Sequence, residues 1–196
     1  MQIDYNILIT YGAATKKYEK GSVIFREGSI PHFFHQIVEG EVKLFSRNNE
    51  GKDFIQGMFA SGQTFGEAPV LLDKIYPSTA QAIKDCVIIR ITREKLLNIL
   101  KDFPDITHQM VFSLAERIYQ KAVSAQTLLC HTPEEKILSF FHTIKDTTQK
   151  KDHILIPFTR QQIADFTSLR VETVIRTLLR MHKQKKINII EHKIYF

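Results

Sequence analysis

Short alternating runs dominate the first half of the chain. Residues 22–25, 34–38, 41–45, 54–59 and 87–91 are rich in β-branched and aromatic side chains, with glycine or polar turns between them at Gly21, Gly28, Gly40, Gly51 and Gly62. Strands recurring at that spacing predict a jelly-roll or barrel. Ahead of them, residues 3 to about 15 read as a short helix with Ile3, Ile7 and Leu8 on its buried edge. Residues 62–72 break the strand rhythm with a turn and a short helix, and residues 76–82 return to strand.

Beyond Thr92 the period becomes helical. A short amphipathic helix over 92–100 ends at Phe103 and Pro104, and Pro104 is suited to start the next helix. No proline or glycine interrupts residues 105–129, where Val111, Leu114, Ile118, Ala122, Ala125 and Leu129 recur at three- and four-residue steps. That spacing is close to a coiled-coil seam. A helix packed only on its own β-domain is the simpler alternative. The seam's length and its flanking Glu116, Arg117, Gln120 and Lys121 favour a parallel two-helix dimer interface.

Thr132, Pro133, Glu134 and Glu135 then supply an N-cap, a first-turn proline and first-turn acids, and Ile137, Leu138, Phe140, Phe141 and Ile144 give that helix its apolar side. Residues 146–152 read as a lysine-rich loop before a strand at 154–157. Residues 187–190 and 193–196 can pair as a hairpin across Glu191 and His192.

Between that strand and the hairpin lie two short helices. Thr159 with Gln162 forms a capping box, so a helix should run from there to about Phe166, with Ala164 as a small contact face. A second helix starts near Arg170 with Val174, Leu178 and Met181 as its inward stripe. Glu172, Arg176, Arg180 and Lys183 then share another face. A solvated Glu/Arg ion pair accounts for such a face. So does base reading, since arginine bridges guanine O6 and N7 and glutamate accepts from cytosine N4.

Charge sharpens the choice. Residues 131–196 hold 12 Lys+Arg against 7 Asp+Glu, while residues 1–130 hold 15 against 14. The basic excess therefore sits with the paired helices, which suits a polyanion partner there and argues against a protein that coats nucleic acid throughout. Two cysteines, Cys86 and Cys130, are too few for a disulfide framework and read as buried reduced thiols, which points to the cytoplasm. With no basic leader and no run of about 18 apolar residues, neither export nor membrane insertion is expected.

Thr159, Arg160, Gln161, Gln162, Ile163 and Ala164, followed by Val171, Glu172, Thr173, Val174, Ile175 and Arg176, resemble the helix-turn-helix of the Crp/Fnr family of bacterial transcription regulators. Valine before the glutamate is closer to the fumarate-nitrate branch than to the cyclic-AMP receptor branch. Ser168 departs from the glycine that many relatives carry at the turn. Residues 62–72 and 76–82 resemble the phosphate-binding cassette of cyclic-nucleotide-binding domains, with Gly66 and Glu67 in family positions. Where nucleotide binders place an arginine on the cyclic phosphate, this chain has Pro77 before Ser78, so bidentate charge-assisted bonds are missing.

The resemblance implies an α+β protein, with an N-terminal β-roll (jelly-roll) sensor over 1–104, a dimerisation helix over 105–130 and a winged helix-turn-helix over 131–196. It implies a homodimeric, cytoplasmic regulator of transcription that binds double-stranded DNA and acts with RNA polymerase. Expected DNA contacts are Thr159, Arg160, Gln161, Glu172, Thr173, Arg176 and Arg180; an effector pocket falls at Gly66, Glu67, Ala68, Ser78 and Thr79. Those pocket residues have a purely structural alternative, with Gly66 making a tight turn and Glu67 serving as an N-terminal helix charge. The effector is not specified. Cyclic AMP is disfavoured by Pro77, and an iron–sulfur cluster by the lack of an N-terminal cysteine cluster. Haem stays open, with His32, His35, His108, Met58, Met110 and Cys86 as candidate ligands, none in a telling motif. Catalysis is not expected. A cupin-like metalloenzyme would need more clustered ligands than His32 and His35, and a nucleotide-binding module acting through protein contacts is the remaining alternative.

Overall fold

The computed structural model describes residues 1–47, 51, 53–126, 132–148 and 154–196. The chain divides into two compact units after Glu116.

The first unit opens with α1 (Tyr5–Thr10), capped by Asp4, whose carboxylate accepts from the Asn6 N–H at 2.7 Å. This helix is shorter than expected. The backbone turns at Gly12 (φ 81°), and residues 14 and 15 already belong to β1 (Ala14–Tyr18). Ile3 is buried just ahead of the helix, where its N–H donates to Gln36 Oε1 and its carbonyl accepts from Gln36 Nε2, both at 2.8 Å.

The chain continues through β2 (Val23–Phe25), β3 (Phe33–Glu39), β4 (Glu41–Arg47), β5 (Asp53–Ala60), β6 (Thr64–Phe65), α2 (Glu67–Leu72), β7 (Thr79–Ala82) and β8 (Cys86–Thr92). They form two antiparallel four-stranded sheets, ordered β1-β8-β3-β6 and β2-β7-β4-β5. Tyr18, Phe25, Ile37, Val42, Phe65, Ala80, Ala82 and Ile88 come from both sheets and pack as one core, the expected β-roll. Gly40 makes the β3–β4 turn at φ 100°, and a Cβ there would lie 2.4 Å from the Asp85 carbonyl oxygen, so only glycine fits.

β3 is buried on both faces. Ile37 points into the roll, while Phe34 joins Ile3, Leu8, Val70, Ile89, Ile91, Leu96, Ile99 and Met110 in a second core. That second core is where α3 (Arg93–Asp102) and the start of α4 (Pro104–Gln126) pack. Pro104 starts α4 as expected.

The apolar residues of α4 split into two stripes rather than one. Met110 and the half-buried Leu114 face the second core, which removes Leu114 from the expected seam. Val111, Phe112, Ala115, Ile118, Tyr119 and Ala122 are exposed instead, Ile118 and Tyr119 by 69% and 67%. Ala125 lies within α4, and Leu129 and Cys130 lie outside the described residues.

In the second unit, α5 (Pro133–Thr148) begins with a reciprocal cap. Thr132 Oγ1 accepts from the Glu135 N–H at 3.2 Å, and Glu135 Oε2 accepts from the Thr132 N–H at 3.1 Å. The helix reaches Thr148, so residues 146–148 belong to it and not to the expected loop; residues 149–153 lie outside the described ones. β9 (Leu155–Ile156), α6 (Arg160–Thr167), α7 (Val171–Lys183), β10 (Asn188–Ile190) and β11 (Lys193–Tyr195) follow, with the sheet ordered β10-β11-β9. Ile137, Phe141, Ile156, Ile163, Val174, Leu178, Met181 and Ile194 are buried together, making a winged helix-turn-helix around one core.

Ser168 joins α6 to α7 in the left-handed region (φ 56°, ψ 27°), where an L side chain is strained. Its side chain is exposed. Ser168→Gly should therefore raise unfolding stability by about 1 kcal/mol, measured by urea denaturation. A fall in stability would show that the serine hydroxyl offsets the backbone strain.

Candidate nucleic-acid interface and the interior of the roll

The rotation of α7 is set from inside. Val174, Thr177, Leu178 and Met181 are buried. Glu172, Ile175, Arg176, Leu179, Arg180 and Lys183 consequently lie together along the opposite, solvent-facing side, with shallow open space between their side chains. Among the described residues no ion pair joins Glu172 to Arg176, and both side chains are exposed, so the simple i,i+4 pair is not what organises this face.

Four of the other expected contact residues, Thr159, Arg160, Gln161 and Arg180, are already bonded. Thr159 caps α6, its Oγ1 accepting from the Gln162 N–H at 3.2 Å while its own N–H donates to Gln162 Oε1 at 2.8 Å. Arg160 Nη1 donates to the His192 carbonyl in the β10–β11 turn, tying the first turn of α6 to the wing. Gln161 Nε2 donates to Asp165 Oδ1 at 2.8 Å. Thr173 is half-buried. Arg180 Nη2 donates to Glu134 Oε2 at 3.2 Å, and Lys186 Nζ donates to the other oxygen. Lys186 in particular holds the Glu134 carboxyl below the usual carboxylate range. Glu134 thus bridges α5 to two cations at the far end of α7, a role that its place in a helical first turn did not announce.

Inside the roll, Gly66 precedes α2 at φ 75°, where an added Cβ would stand 3.2 Å from the Phe25 and Tyr76 rings. Glu67 and Ser78 are buried, Ala68 and Pro77 are exposed, and Thr79 Oγ1 accepts from the Glu27 N–H at 3.1 Å. The space beneath the cassette holds rings. Tyr76 lies flat on Phe25 at 3.6 Å, Phe25 and Phe65 stack at 5.9 Å, and His35 stacks on Phe65 at 5.3 Å. Arg93 closes the other end of α2 by donating to the Val70 carbonyl at 2.8 Å.

The candidate haem ligands are scattered. His32 and His108 are exposed, Met110 sits in the helical core, and Cys86 Sγ lies 3.3 Å from the Glu41 carbonyl. Among the described residues no three His, Cys, Asp or Glu side chains are grouped to hold a metal, and no helix is long and apolar enough to cross a membrane.

Comparison with known proteins bears on both halves. Residues 15–103 match the family described as Cyclic nucleotide-binding domain, and residues 135–195 match the Crp-like helix-turn-helix domain. The chain belongs to the Crp/Fnr family of transcription regulators. Among curated Crp/Fnr relatives, it is 26% identical over 179 residues to the transcriptional activatory protein AadR of Rhodopseudomonas palustris, covering 89% of this chain and 73% of that one. It is also 26% identical over 179 residues to the nitrogen fixation regulation protein FixK of Azorhizobium caulinodans, covering 88% and 70%. Among solved structures, the c-di-GMP responsive regulator CLP of Xanthomonas campestris shares the fold with a TM-score of 0.78 at 16% identity over 97% of this chain and 98% of that one. FixK2 of Bradyrhizobium japonicum does so at 0.73 and 21% identity over 93% and 91%. As a Crp/Fnr protein it is a DNA-binding transcription regulator.

One group in the sensor of this Crp/Fnr chain is out of balance. His35 is buried between Phe25 and Phe65, and its Nδ1 has no hydrogen-bond partner among the described residues. Burial, with a smaller contribution from the Arg90 guanidinium, pushes its pKa down to about 3. The folded chain therefore keeps this ring neutral in weak acid, whereas the unfolded chain protonates it near the ordinary histidine value of about 6.5. The unfolded state holds more protons between those values, so stability falls as pH drops through that window. From about pH 7.5 to about pH 5 the loss from this group is about 2 kcal/mol. His35→Leu should flatten that part of the stability profile, read from urea denaturation across pH. If the wild-type and variant slopes coincide, the ring gains a proton acceptor when charged.

Proposed function

We propose that the regulator acts in the cytoplasm as a homodimer on a pseudo-palindromic operator, with α7 of each protomer in the major groove. The observation that carries this is the outward face of α7. Glu172 and Arg176 stand exposed and unpaired to each other one turn apart, on a helix whose other side is fully buried. An acceptor and a bidentate donor so placed suit cytosine N4 and guanine O6/N7. Thr159, Gln161 and Thr173, at or near the helix starts, position the unit on phosphates, and Arg160 does so together with the wing it holds. Arg180, held by Glu134, adds affinity more than selection.

Dimerisation uses the exposed stripe of α4, with Val111, Phe112, Ala115, Ile118, Tyr119 and Ala122 meeting their counterparts. The effector is a small molecule acting through the roll near Gly66, Glu67, Ala68, Ser78 and Thr79. Cyclic AMP fits poorly, because Pro77 offers no guanidinium and stacked rings occupy the interior. Contact with RNA polymerase converts operator occupancy into a change in transcription.

Operator reading is tested with a library of half-sites at two salt concentrations. Arg176→Ala should cost about 1–3 kcal/mol per half-site and flatten preference at one base pair. Arg160→Ala should weaken all sites about equally and lower the salt slope by about one unit. Altered base preference in the Arg160 variant with none in the Arg176 variant would take α7 out of the groove.

The seam is tested by Ile118→Asp, which would bury an unpaired charge in a dimer. It should sediment as a folded monomer at micromolar concentration while the wild type is dimeric. A folded, dimeric variant would put the interface elsewhere.

A further inference from the structure

We propose that Ile175 is a specificity-determining residue that reads a thymine through its 5-methyl group, beside the guanine assigned to Arg176. The inference rests on the placement of α7 in the major groove. Its basis is a pair of large aliphatic side chains on a face that has no structural use for them. Ile175 is 45% exposed and Leu179 is 52% exposed, while Val174, Thr177, Leu178 and Met181 complete the inward stripe without them.

Both aliphatics share the open outward face with Glu172, Arg176, Arg180 and Lys183. Whatever covers them must be anionic overall and must present an apolar group among hydrogen-bonding ones. The major groove of duplex DNA meets both conditions, and the thymine methyl is the apolar group on its base-pair edges. Isoleucine is suited to that target. Branching at Cβ restricts its first torsion in a helix, so its methyl groups are held in place at little further cost in side-chain entropy.

Position in the sequence locates the contact. Ile175 follows Glu172 by three residues and precedes Arg176 by one, so along the helix axis it falls between them, and its side chain flanks the acceptor and the bidentate donor on the same outward side. The thymine should therefore lie in the base-pair step next to the guanine that Arg176 reads. Leu179 lies one turn farther from the helix N-terminus. Base contacts in this docking geometry concentrate toward that end, which assigns the reading to Ile175.

Deoxyuridine tests the idea directly, because it differs from thymidine only by the methyl. An operator selected by the full-length wild-type protein is remade with each thymine replaced in turn, and dissociation constants are measured for wild type, Ile175→Ala and Arg176→Ala. At one thymine per half-site, next to the guanine lost to Arg176→Ala, uracil should weaken the wild type by about four-fold, as expected for removing one buried methyl group. Ile175→Ala should bind the thymine and uracil operators alike and keep its guanine preference. Because Ile175 is exposed, its thermal melting should match the wild type, which separates a lost contact from a lost fold. A wild type indifferent to uracil at every position overturns the proposal and leaves the groove placement standing. So does an alanine variant that keeps the full uracil penalty, which would make Ile175 and Leu179 a face for a protein partner. A wild type that selects no operator overturns the groove placement and this inference together.

Discussion

The reading face of this regulator depends on a packing constraint on the opposite side of the same helix. Val174, Thr177, Leu178 and Met181 are buried with Ile137, Phe141, Ile163 and Ile194, and this fixes the rotation of α7 about its axis. Neighbouring helical positions differ by about 100°, so a shift by one residue would carry Arg176 off the outer face and bring an inward side chain onto it. Close packing makes such a shift costly. Truncating a buried Leu178 or Met181 costs about 2–5 kcal/mol, several times more than any single surface contact. Specificity at the surface is thus held by apolar contacts that never meet the ligand.

The sensor shows the same logic on a strand, with one unbalanced position. Consecutive β3 residues alternate between two cores, so Gln36 faces the helices and His35 faces the roll. The two polar side chains are treated differently. Gln36 gives and accepts a bond with the Ile3 backbone, so its burial fastens the N-terminal segment to the sheet. His35 has ring neighbours and, among the described residues, no partner for Nδ1. An unmade bond of that kind costs about 1–3 kcal/mol, which the stacking of His35 on Phe65 and its contact with the tilted Phe25 ring offset in part.

What the sequence disclosed and what it hid divide by range. The Thr159–Gln162 capping box was legible because both bonds form within three residues, and the α7 stripe because helical period alone separates its faces. The limits of α1 were less legible: nothing in residues 11–15 forbids helix, and pairing of Ala14 and Thr15 with Arg90 and Ile89 draws them into the sheet. In α4 the three- and four-residue spacing fitted Leu114 as readily as Ala115, because the helix carries apolar residues on two faces. Only the position of the β-domain core decides between them. Contacts between distant segments, such as Arg160 with His192 and Glu134 with Arg180, have no sequence signature.

Those distant contacts also change how charge is distributed over the DNA-binding unit. Counting residues alone credits it with a broad basic excess, but Glu134 draws Arg180 and Lys186 to one carboxylate, and Arg160 is turned to a wing carbonyl. Exposed ion pairs of this kind contribute little to stability, so their effect is chiefly geometric. They hold two cations, and the wing carbonyl holds a third, in defined positions around α7 instead of leaving them to sample any nearby phosphate. Non-specific affinity grows with every mobile cation near the backbone, whereas selection among sequences depends on the few side chains free to meet base edges. With its neighbours engaged, Arg176 stands beside Glu172 and Ile175 in the groove, and discrimination is concentrated in that short stretch of one helix face.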